Sequence, residues 1–419
     1  MNYAEFDIPG NALQGVVTVG NFDGVHRGHQ QMLQTLRRTA AKHSAPAVVV
    51  TFDPHPLSLL RPDSPLPRLT TIERRSALLK EYGADEVVVL PVTNALLQMT
   101  PEEFFDQVLV ERFAAAGVVE GPNFRFGRDR AGDIHSLAKL CQRAGIVFHE
   151  ISPVQNEGRL VSSSRIRTLL SQGRAGDAVA MTGHAHRISG VVSCGAGRGK
   201  QLGFPTANLD GIPTMLPASG VYAGTVCVGD QRYSAALSIG PNPTFADNNL
   251  KVECHLLDFN DDLYDDGLEI DLLSEIRPLR SFDSVDQLIA QIAADVEQCR
   301  MLVDRLSKPV YKICSSSEWQ QAVAKGEFSG SEADLADGFI HFSTADQLRE
   351  TAARHFSGQS NLLLVEVDPI RLGSALKWEL SRGGRLFPHL YDCLPVDAAV
   401  GTQPLPWISG THRFPREVD

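Results

Sequence analysis

Two kinds of apolar pattern alternate between residues 14 and 180. Predicted strands, rich in β-branched residues, cover residues 14–19, 47–52, 86–92, 117–120 and 146–151. Helical patterns cover residues 30–43, 72–81, 101–113 and 135–144, and a further helix at 164–172 ends before Gly173. Near-continuous apolar strands separated by helices are typical of a parallel sheet that is covered on both faces. The pattern predicts an α/β domain over residues 1–182.

The hydrophobic pattern changes after residue 183. Strand-like segments at residues 188–193, 221–228, 233–239, 252–259 and 269–273 follow one another through Gly, Pro, Asn and Asp turns, without helices between them. This pattern predicts an antiparallel barrel or sandwich. One long amphipathic helix is predicted at residues 284–306, and it ends a second domain that spans residues 183–307.

Residues 307–309, Ser-Lys-Pro, have the composition of a linker, and residues 308–419 are predicted to form a third, small α+β domain. Hydrophobic residues make up 43% of the 419-residue chain and charged residues 21%, which is ordinary for a globular protein. A net charge of −11 argues against a general nucleic-acid-binding role, because such a role needs a basic face.

The sequence also bears on the compartment of the protein. There is no basic-then-apolar leader at residues 1–10, and the longest apolar runs, such as residues 45–50, are far shorter than a membrane span. The seven cysteines are scattered without C-x-x-C spacing, which favours free thiols over a disulfide framework or a zinc site. We expect a cytoplasmic protein that binds neither membranes nor nucleic acids.

The first candidate site is the segment G-N-F-D-G-V-H-R-G-H at residues 20–29. It follows the first predicted strand and precedes the first helix, at the edge of a parallel sheet where ligands bind. Gly20, Gly24 and Gly28 let the backbone approach a phosphate closely, and the following helix N-terminus favours anions. His26 and His29 can converge on one negatively charged group and stabilise charge that develops during phosphoryl transfer. Two histidines without further partners fall short of a zinc site.

This segment resembles the H-x-G-H loop of nucleotidyltransferases, in the form found in bacterial bifunctional riboflavin kinase/FMN adenylyltransferases (FAD synthetases). Three further segments match that family in its order: T-F-D-P-H-P at residues 51–56, G-P-N-F-R-F-G at 121–127 and S-S-S-R-I-R at 162–167. Ser164 stands where the family has Thr, and it keeps the hydroxyl group. The resemblance implies a Rossmann-like nucleotidyltransferase domain at residues 1–182.

The resemblance implies attack by an FMN phosphate oxygen on the α-phosphorus of ATP, which releases pyrophosphate and forms FAD. The implied catalytic and ATP-binding residues of this domain are His26, His29, Arg167, Gly20, Phe22, Gly24, Gly28, Ser163 and Ser164. The implied flavin-binding residues are Asp53, Pro54, His55, Asn123, Phe124 and Phe126. For Phe124 and Phe126, plain packing in the core is an equally good interpretation.

The second candidate site is the segment G-A-G-R-G-K-Q-L-G-F-P-T-A-N at residues 195–208. The glycine-rich part alone is a weak signal, but P-T-A-N resembles riboflavin kinases. The resemblance implies that Thr206 and Asn208 bind Mg²⁺ that travels with ATP, and such oxygen ligands suit a hard cation. It implies nucleotide binding by Gly197, Arg198 and Gly203, in an antiparallel β-barrel kinase domain at residues 183–307.

The segment V-E-C-H-L-L-D-F at residues 252–259 resembles the part of the kinase that carries the catalytic base, which implies that role for Glu253. A solvated strand face is the alternative interpretation for Glu253. Three positions depart from the family pattern, namely Asn242, Asp265 and Leu279. These departures put the flavin contacts and the kinase rate in doubt.

The third domain resembles a small bacterial domain family of unknown function, which is grouped by fold with ADP-ribosyltransferase-like proteins. Polar and aromatic residues cluster near its glycine turns, and a binding site that uses His341, Arg382, His389 and Tyr391 is one hypothesis. A structural or interaction module is the alternative.

The leading hypothesis for the whole chain is a bifunctional enzyme that phosphorylates riboflavin to FMN and adenylylates FMN to FAD. Riboflavin, FMN and ATP are then its small-molecule partners. Two alternatives remain at this point: an adenylyltransferase for another small phosphate ester, and a flavin-binding regulatory protein with an impaired kinase half.

Overall fold

The computed structural model describes residues 6–152, 155–156, 159–242, 247–415 and 418. The chain divides into two compact units, Met1–Arg167 and Thr168–Asp419. Among the helices of the described ranges, none is long and apolar enough to cross a membrane.

A five-stranded parallel sheet forms the centre of the first unit. Its strands are β1 (Val16–Val19), β2 (Ala47–Asp53), β3 (Glu86–Pro91), β4 (Gly117–Glu120) and β5 (Val147–Glu150), in the order β3-β2-β1-β4-β5. Successive residues of a strand point to opposite faces, so Val17 and Val19 pack in one hydrophobic cluster while Val16 packs in another. Both faces are therefore covered, which confirms the predicted α/β class.

The helices of this unit are α1 (Arg27–His43), α2 (Pro56–Leu60), α3 (Ile72–Glu81), α4 (Asn94–Gln98), α5 (Pro101–Glu103), a π-helix (Phe104–Arg112), α6 (Ile134–Ala144) and the start of α7 (Ser163–Ser171). Helix α1 begins three residues before its predicted start, because His26 caps it by accepting from the backbone N–H of His29. The π-helix replaces most of the predicted helix at 101–113. Its wider turn brings Phe104, Val108 and Phe113 to one side, and all three are buried in the same core.

The second unit begins with α8 (Ala175–Thr182) and a closed antiparallel barrel. The barrel strands are β6 (His186–Ser193), β7 (Ala207–Asp210), β8 (Gly220–Val228), β9 (Gln231–Asn242), β10 (Asp247–Leu256) and β11 (Gly267–Pro278), in the order β6-β7-β10-β9-β8-β11. A short helix, α9 (Arg198–Gln201), lies between β6 and β7. Pairing of β6 with β11 closes the barrel and so decides between the two predicted architectures. Helix α10 (Val285–Leu306) follows, close to the predicted span of 284–306, and Ser284 caps its N-terminus.

The remaining part of the second unit is built around two three-stranded antiparallel sheets. One contains β12 (Val310–Ser315), β14 (Leu362–Val367) and β17 (Ala399–Leu405); the other contains β13 (Ile340–His341), β15 (Leu376–Leu380) and β16 (Leu386–Leu390). Helices α11 (Ser316–Lys325), α12 (Glu332–Asp337) and α13 (Leu348–His355), and a 3-10 segment at Pro369–Ala375, complete it. This arrangement agrees with the predicted α+β class.

The 3-10 segment Pro369–Ala375 packs directly on the barrel side of the second unit. Ile370 joins a hydrophobic cluster with Cys299 and Val303 of α10. At Gly373, where φ is +59°, a Cβ atom would lie 2.5 Å from the carbonyl oxygen of Gly176 in α8. The two backbones touch here, so only glycine permits this approach.

Candidate active sites

The loop between β1 and α1 lies at the carboxyl end of the central strand of the sheet. Strands β2 and β4 flank β1, so the chain reverses its direction of winding at this point, where α/β sheets bind ligands. Gly24 has a φ of +81°, which glycine adopts without strain, and the loop turns back there toward α1. Phe22 is buried beneath the loop, and its ring meets that of His29 edge-on at 5.1 Å.

His26 and His29 stack face to face, with ring centroids 3.6 Å apart and an interplanar angle of 16°. Nδ1 of His29 is buried and has no hydrogen-bond partner within the described part of the chain. Burial, followed by the charges of His26 and Arg75, holds the pKa of His29 well below its usual value. A neutral imidazole with an unsatisfied buried nitrogen is costly in the absence of a ligand, which points to a ligand-binding role.

Asp23 is the electrostatic centre of this loop and is almost fully buried. Its carboxylate accepts from the backbone N–H groups of Leu69 and Thr70, each at 3.0 Å, and from the Thr70 hydroxyl at 3.0 Å. It also pairs with Arg75 at 3.2 Å and with Arg167. The buried carboxylate of Asp23 therefore holds the guanidinium groups of Arg75 and Arg167 beside the Gly20–His29 loop.

The segment at residues 162–167 joins the same loop. The Ser163 hydroxyl donates to the carbonyl oxygen of Asp23 at 2.7 Å, and Nε of Arg167 donates to the carbonyl oxygen of Pro67 at 2.7 Å. Ser164 is exposed in the first turn of α7. The structure therefore brings Ser163 and Arg167 to the Gly20–His29 loop.

The segment after β2 supplies another imidazole. Nδ1 of His55 accepts from the backbone N–H of Leu57 at 3.1 Å, which assigns the proton of the neutral ring to Nε2. Burial is the main reason why the pKa of His55 lies below its usual value, and the charge of Asp23 opposes this effect. Asp53 pairs with Arg68 at 3.2 Å, and the peptide bond between Asp53 and Pro54 is cis.

The three residues after β4 that were expected to contact flavin have different environments. Asn123 is exposed, Phe124 is half-buried, and Phe126 is buried in the core against Phe104, with ring centroids 6.0 Å apart. The Phe124 and Phe126 rings stack at 5.3 Å. Core packing, one of the two interpretations from sequence, describes Phe126, and Phe124 presents the more accessible ring.

The motifs recognised in the sequence assigned no role to Asp23, Arg68 or Arg75. Asp23 lies inside the recognised segment, where an acidic residue between two glycines is easily taken for a turn former. Arg75 lies in the middle of α3, where an arginine ordinarily faces solvent, and only the fold brings it to Asp23. A buried Arg in the middle of a helix has no local sequence signal.

In the barrel, the strand register brings the predicted kinase residues together. Asn208 of β7 lies directly opposite Glu253 of β10, and Glu253 lies opposite Ser238 of β9. These side chains share the outer face of the barrel, because the intervening Cys254 is fully buried in the interior. A Cβ atom at Gly199 would lie 2.8 Å from the Thr206 hydroxyl, so the glycine-rich loop packs closely beside Thr206.

A pocket between this face and α10 contains both polar and apolar groups. Arg198, Thr206 and Glu253 contribute polar atoms. The apolar lining comes from Leu202, Phe204, Val221, Leu237, Leu279, Phe282, Leu288, Ile292 and Val296. A cleft with a large apolar wall and a few polar groups is suited to a planar organic ring joined to a polar tail.

Among the residues expected to bind the kinase nucleotide, Gly197 has a φ of +67° and immediately precedes α9, and Gly203 has a φ of +88° and follows it. Arg198 is half-buried at the pocket. Both glycines therefore shape the ends of this short helix.

The three departures from the family pattern have different places in the structure. Leu279 lies on the pocket wall. Asp265 is exposed and has a φ of +66°, a backbone conformation that glycine adopts freely and Asp tolerates. The Asp265 departure is thus a matter of turn geometry. The side chain of Asn242 lies outside the described residues.

An ion pair fastens α10 to the barrel beside this pocket. Arg277 of β11 donates to both carboxylate oxygens of Asp295, with Nε–Oδ1 at 3.0 Å and Nη2–Oδ2 at 2.7 Å. Gln291 donates to the same carboxylate at 2.8 Å, and Asp295 is almost fully buried. This bidentate pair fixes the helix face that carries Leu288 and Ile292 toward the pocket.

Three family models match consecutive parts of the chain. They are FAD synthetase at residues 9–165, riboflavin kinase at 182–303 and a protein of unknown function (DUF952) at 313–402. The bifunctional riboflavin kinase/FMN adenylyltransferase of Escherichia coli (strain K12) is 35% identical over 281 residues, which cover 67% of this chain and 90% of the relative. The chain belongs to the bifunctional riboflavin kinase/FMN adenylyltransferase family.

Other comparisons agree with this assignment. The family member from Bacillus subtilis (strain 168) is 30% identical over 302 residues, 70% of this chain and 94% of its own length. A crystal structure from Streptococcus pneumoniae, described as a macrolide-efflux protein, has 32% identity and a TM-score of 0.64, and covers 71% of this chain and 97% of its own. Family membership gives the chain both activities, riboflavin phosphorylation and FMN adenylylation, in preference to the two alternatives considered from sequence.

Proposed function

We propose that the two activities are divided between the loop at Gly20–His29 and the outer face of the barrel. FMN adenylylation is assigned to the first unit and riboflavin phosphorylation to the barrel. The observation that carries the first assignment is the buried, unsatisfied Nδ1 of His29 beside two arginines fixed by Asp23. The second rests on Asn208 and Glu253, which face each other across neighbouring strands.

In the adenylylation site, ATP and FMN bind at the carboxyl edge of the sheet. A phosphate oxygen of FMN attacks the α-phosphorus, and the bond to pyrophosphate breaks as the bond to FMN forms. His26 and His29 stabilise the charge on the α-phosphate, while Arg167, the Ser164 hydroxyl and the backbone N–H of Ser163 bind the β- and γ-phosphates. The backbone of Gly20, Gly24 and Gly28 lets the nucleotide approach closely.

The flavin part of FMN is assigned to the neighbouring loops of the same unit. Asp53, Pro54, His55 and Asn123 supply polar and backbone contacts, and Phe124 supplies an accessible aromatic ring. Phe126 supports Phe124 from the core by stacking against it. These assignments follow from the position of both loops at the carboxyl ends of β2 and β4.

In the kinase site, Glu253 takes the proton of the ribityl hydroxyl of riboflavin as that oxygen attacks the γ-phosphorus of ATP. The bond between the γ-phosphorus and the β,γ-bridging oxygen breaks, and ADP leaves. Gly197, Arg198 and Gly203 surround the phosphates, and the apolar wall of the pocket holds the isoalloxazine ring. The Thr206 hydroxyl and the Asn208 amide provide the hard oxygen donors that Mg²⁺ prefers, so they fit the ion that accompanies ATP. When bound, Mg²⁺ neutralises charge on the transferred phosphoryl group.

Substitution of one residue in each site tests this division. His29→Gln is expected to lower FMN adenylylation by about a hundredfold or more while riboflavin phosphorylation continues. Glu253→Gln is expected to do the reverse. Riboflavin phosphorylation is measured with riboflavin as the substrate and adenylylation with FMN as the substrate, each incubated with ATP and Mg²⁺. The products are separated by chromatography. Loss of both activities in either variant, with its thermal transition unchanged, would refute the two-site assignment.

A further inference from the structure

One face of the sheet β13-β16-β15 carries polar and aromatic side chains that neither flavin reaction uses. Its other face is hydrophobic core, since Ile340, Leu376 and Leu390 are all buried there. The register places His341 opposite His389 and His389 opposite Lys377. Directly opposed side chains lie on the same face, so these three form a row across the sheet.

Buried partners fix the first imidazole of this row. Asp334 is 3% exposed and accepts from Nδ1 of His341 at 2.8 Å and from its backbone N–H at 3.0 Å. The same carboxylate accepts from the buried ammonium group of Lys312 at 2.6 and 2.8 Å. The Nδ1 position of His341 is therefore occupied, and Nε2 faces outward, 3.3 Å from a carboxylate oxygen of Asp337.

A second carboxylate fixes the next imidazole in the same way. Glu379 accepts from Nδ1 of His389 at 2.9 Å and from the Tyr391 hydroxyl at 2.8 Å. Phe339 packs against this group, stacked on His389 at 4.4 Å and tilted toward Tyr391 at 5.3 Å. Tyr391 remains 44% exposed, so the face offers an aromatic surface with fixed polar groups around it.

A cationic group lies next to this face, where the chain leaves β15. Nη2 of Arg382 contacts Nε2 of His355 at 3.0 Å. Nη1 of Arg382 is buried and makes no hydrogen bond within the described ranges, and it forms a long ion pair with Glu350 at 3.6 Å. Gly383 and Gly384 follow with positive φ and open space around them, so a ligand group can approach there.

We propose that this face is a binding site for a small phosphorylated heterocycle of mononucleotide size. Phe339 and Tyr391 pack against the ring, and Arg382 binds the phosphate, with Nε2 of His341 as a further polar contact. The ammonium group of Lys377, 4.3 Å from the centre of the Tyr391 ring, adds positive charge to the same face. A purely structural role does not require this arrangement, because apolar residues would stabilise a sheet face at least as well as buried ion pairs do.

The test is hydrogen–deuterium exchange of the full chain with AMP as the probe, followed by mass spectrometry. Because the flavin sites also bind adenine nucleotides, the readout is restricted to peptides that cover residues 339–343 and 376–391. AMP is expected to slow exchange there several-fold, and adenosine or ribose 5-phosphate alone to do so less. Unchanged exchange in these peptides at millimolar AMP would overturn the proposal. Equal protection by ribose 5-phosphate and AMP would overturn the role of the aromatic ring.

Matched variants separate the site from general effects on the domain. Arg382→Gln is expected to raise the AMP concentration for half-maximal protection about tenfold or more, since a phosphate contact is lost. Lys325→Gln, an exposed residue of α11 paired with Glu327, is expected to leave it unchanged. Both variants should keep both flavin activities. A wild-type AMP response in Arg382→Gln would contradict the assignment of the phosphate to Arg382.

Discussion

At the scale of single residues, Glu120 has an environment that its sequence context does not reveal. It ends β4, is 2% exposed, and accepts from the backbone N–H of Val19 at 2.6 Å. Burial outweighs these hydrogen bonds and holds the pKa of Glu120 well above its ordinary value. The carboxyl group therefore takes up a proton on folding over a range of pH above its ordinary pKa.

This shift predicts how Glu120→Gln changes stability with pH. An unfolded Glu ionises above its ordinary pKa while the folded one stays protonated, so the wild-type protein loses stability as pH rises through that interval. Gln keeps the acceptor and never ionises. As pH rises above the ordinary pKa of Glu, the free energy of unfolding of Glu120→Gln should therefore increase relative to that of the wild-type protein, by at most about 1.4 kcal/mol per pH unit. Denaturant unfolding at several pH values measures this, and a constant difference would contradict the raised pKa.

At the scale of an element, α10 links the stability of the barrel to the shape of its pocket. One face of the helix lines the pocket through Leu288 and Ile292. The buried pair Arg277–Asp295 fixes that face, whereas the pair Arg300–Asp258 connects the same helix to the barrel at the exposed surface. Buried and exposed pairs on one helix make a matched comparison.

We expect Asp295→Asn to raise the KM for riboflavin about tenfold, because the helix face loses its bidentate anchor. FMN adenylylation should stay at the wild-type rate. The control, Asp258→Asn, removes an exposed pair that water screens, and it should leave both reactions unchanged. Steady-state kinetics of the two reactions provide the measurement. An equal effect of the two variants on the KM would show that burial of the pair is not what matters.

At the scale of the whole molecule, the second unit joins the kinase barrel and the C-terminal domain through a close backbone contact. Gly373 meets Gly176 and Ala180 of α8, and Ile370 packs against α10. Arg305 of α10 lies over the ring of Trp378 at 5.7 Å. The C-terminal domain therefore packs on the same helices that support the barrel, and its packing contributes to the stability of the unit.

Gly373→Ala should lower the thermal midpoint of the second unit by several degrees, because the new methyl group would meet the Gly176 carbonyl oxygen at 2.5 Å. Gly358→Ala is the control: its φ is also positive, but nothing lies within 4 Å of the added atom. Differential scanning calorimetry compares the two. A larger loss of stability in Gly358→Ala would mean that backbone strain, and not the domain contact, dominates.

Local signals predicted much of the fold and the composition of the two candidate sites. The spacing of apolar residues predicted the bounds of the parallel strands and of α3 closely, because residues that face the core recur with the period of the strand or helix that they form. It missed β7, which has only four residues and begins at the last two positions of the glycine-rich segment. It also missed the π-helix, whose wider turn reflects core packing rather than a local pattern.

The sequence by itself determined which chemical groups each site contains, because segments such as residues 20–29 and 195–208 are contiguous. Tertiary structure decided which distant groups meet them. Arg75 and Arg167 lie 52 and 144 residues from Asp23, and Asn208 lies 45 residues from Glu253, yet each pair is in contact or directly opposed. Tertiary structure also decided which strands pair. The pairing of β6 with β11 closes the barrel, and the pairing of β16 with β13 and β15 places His341, His389 and Lys377 in one row. Such choices depend on the packing of the whole chain, and no local period encodes them.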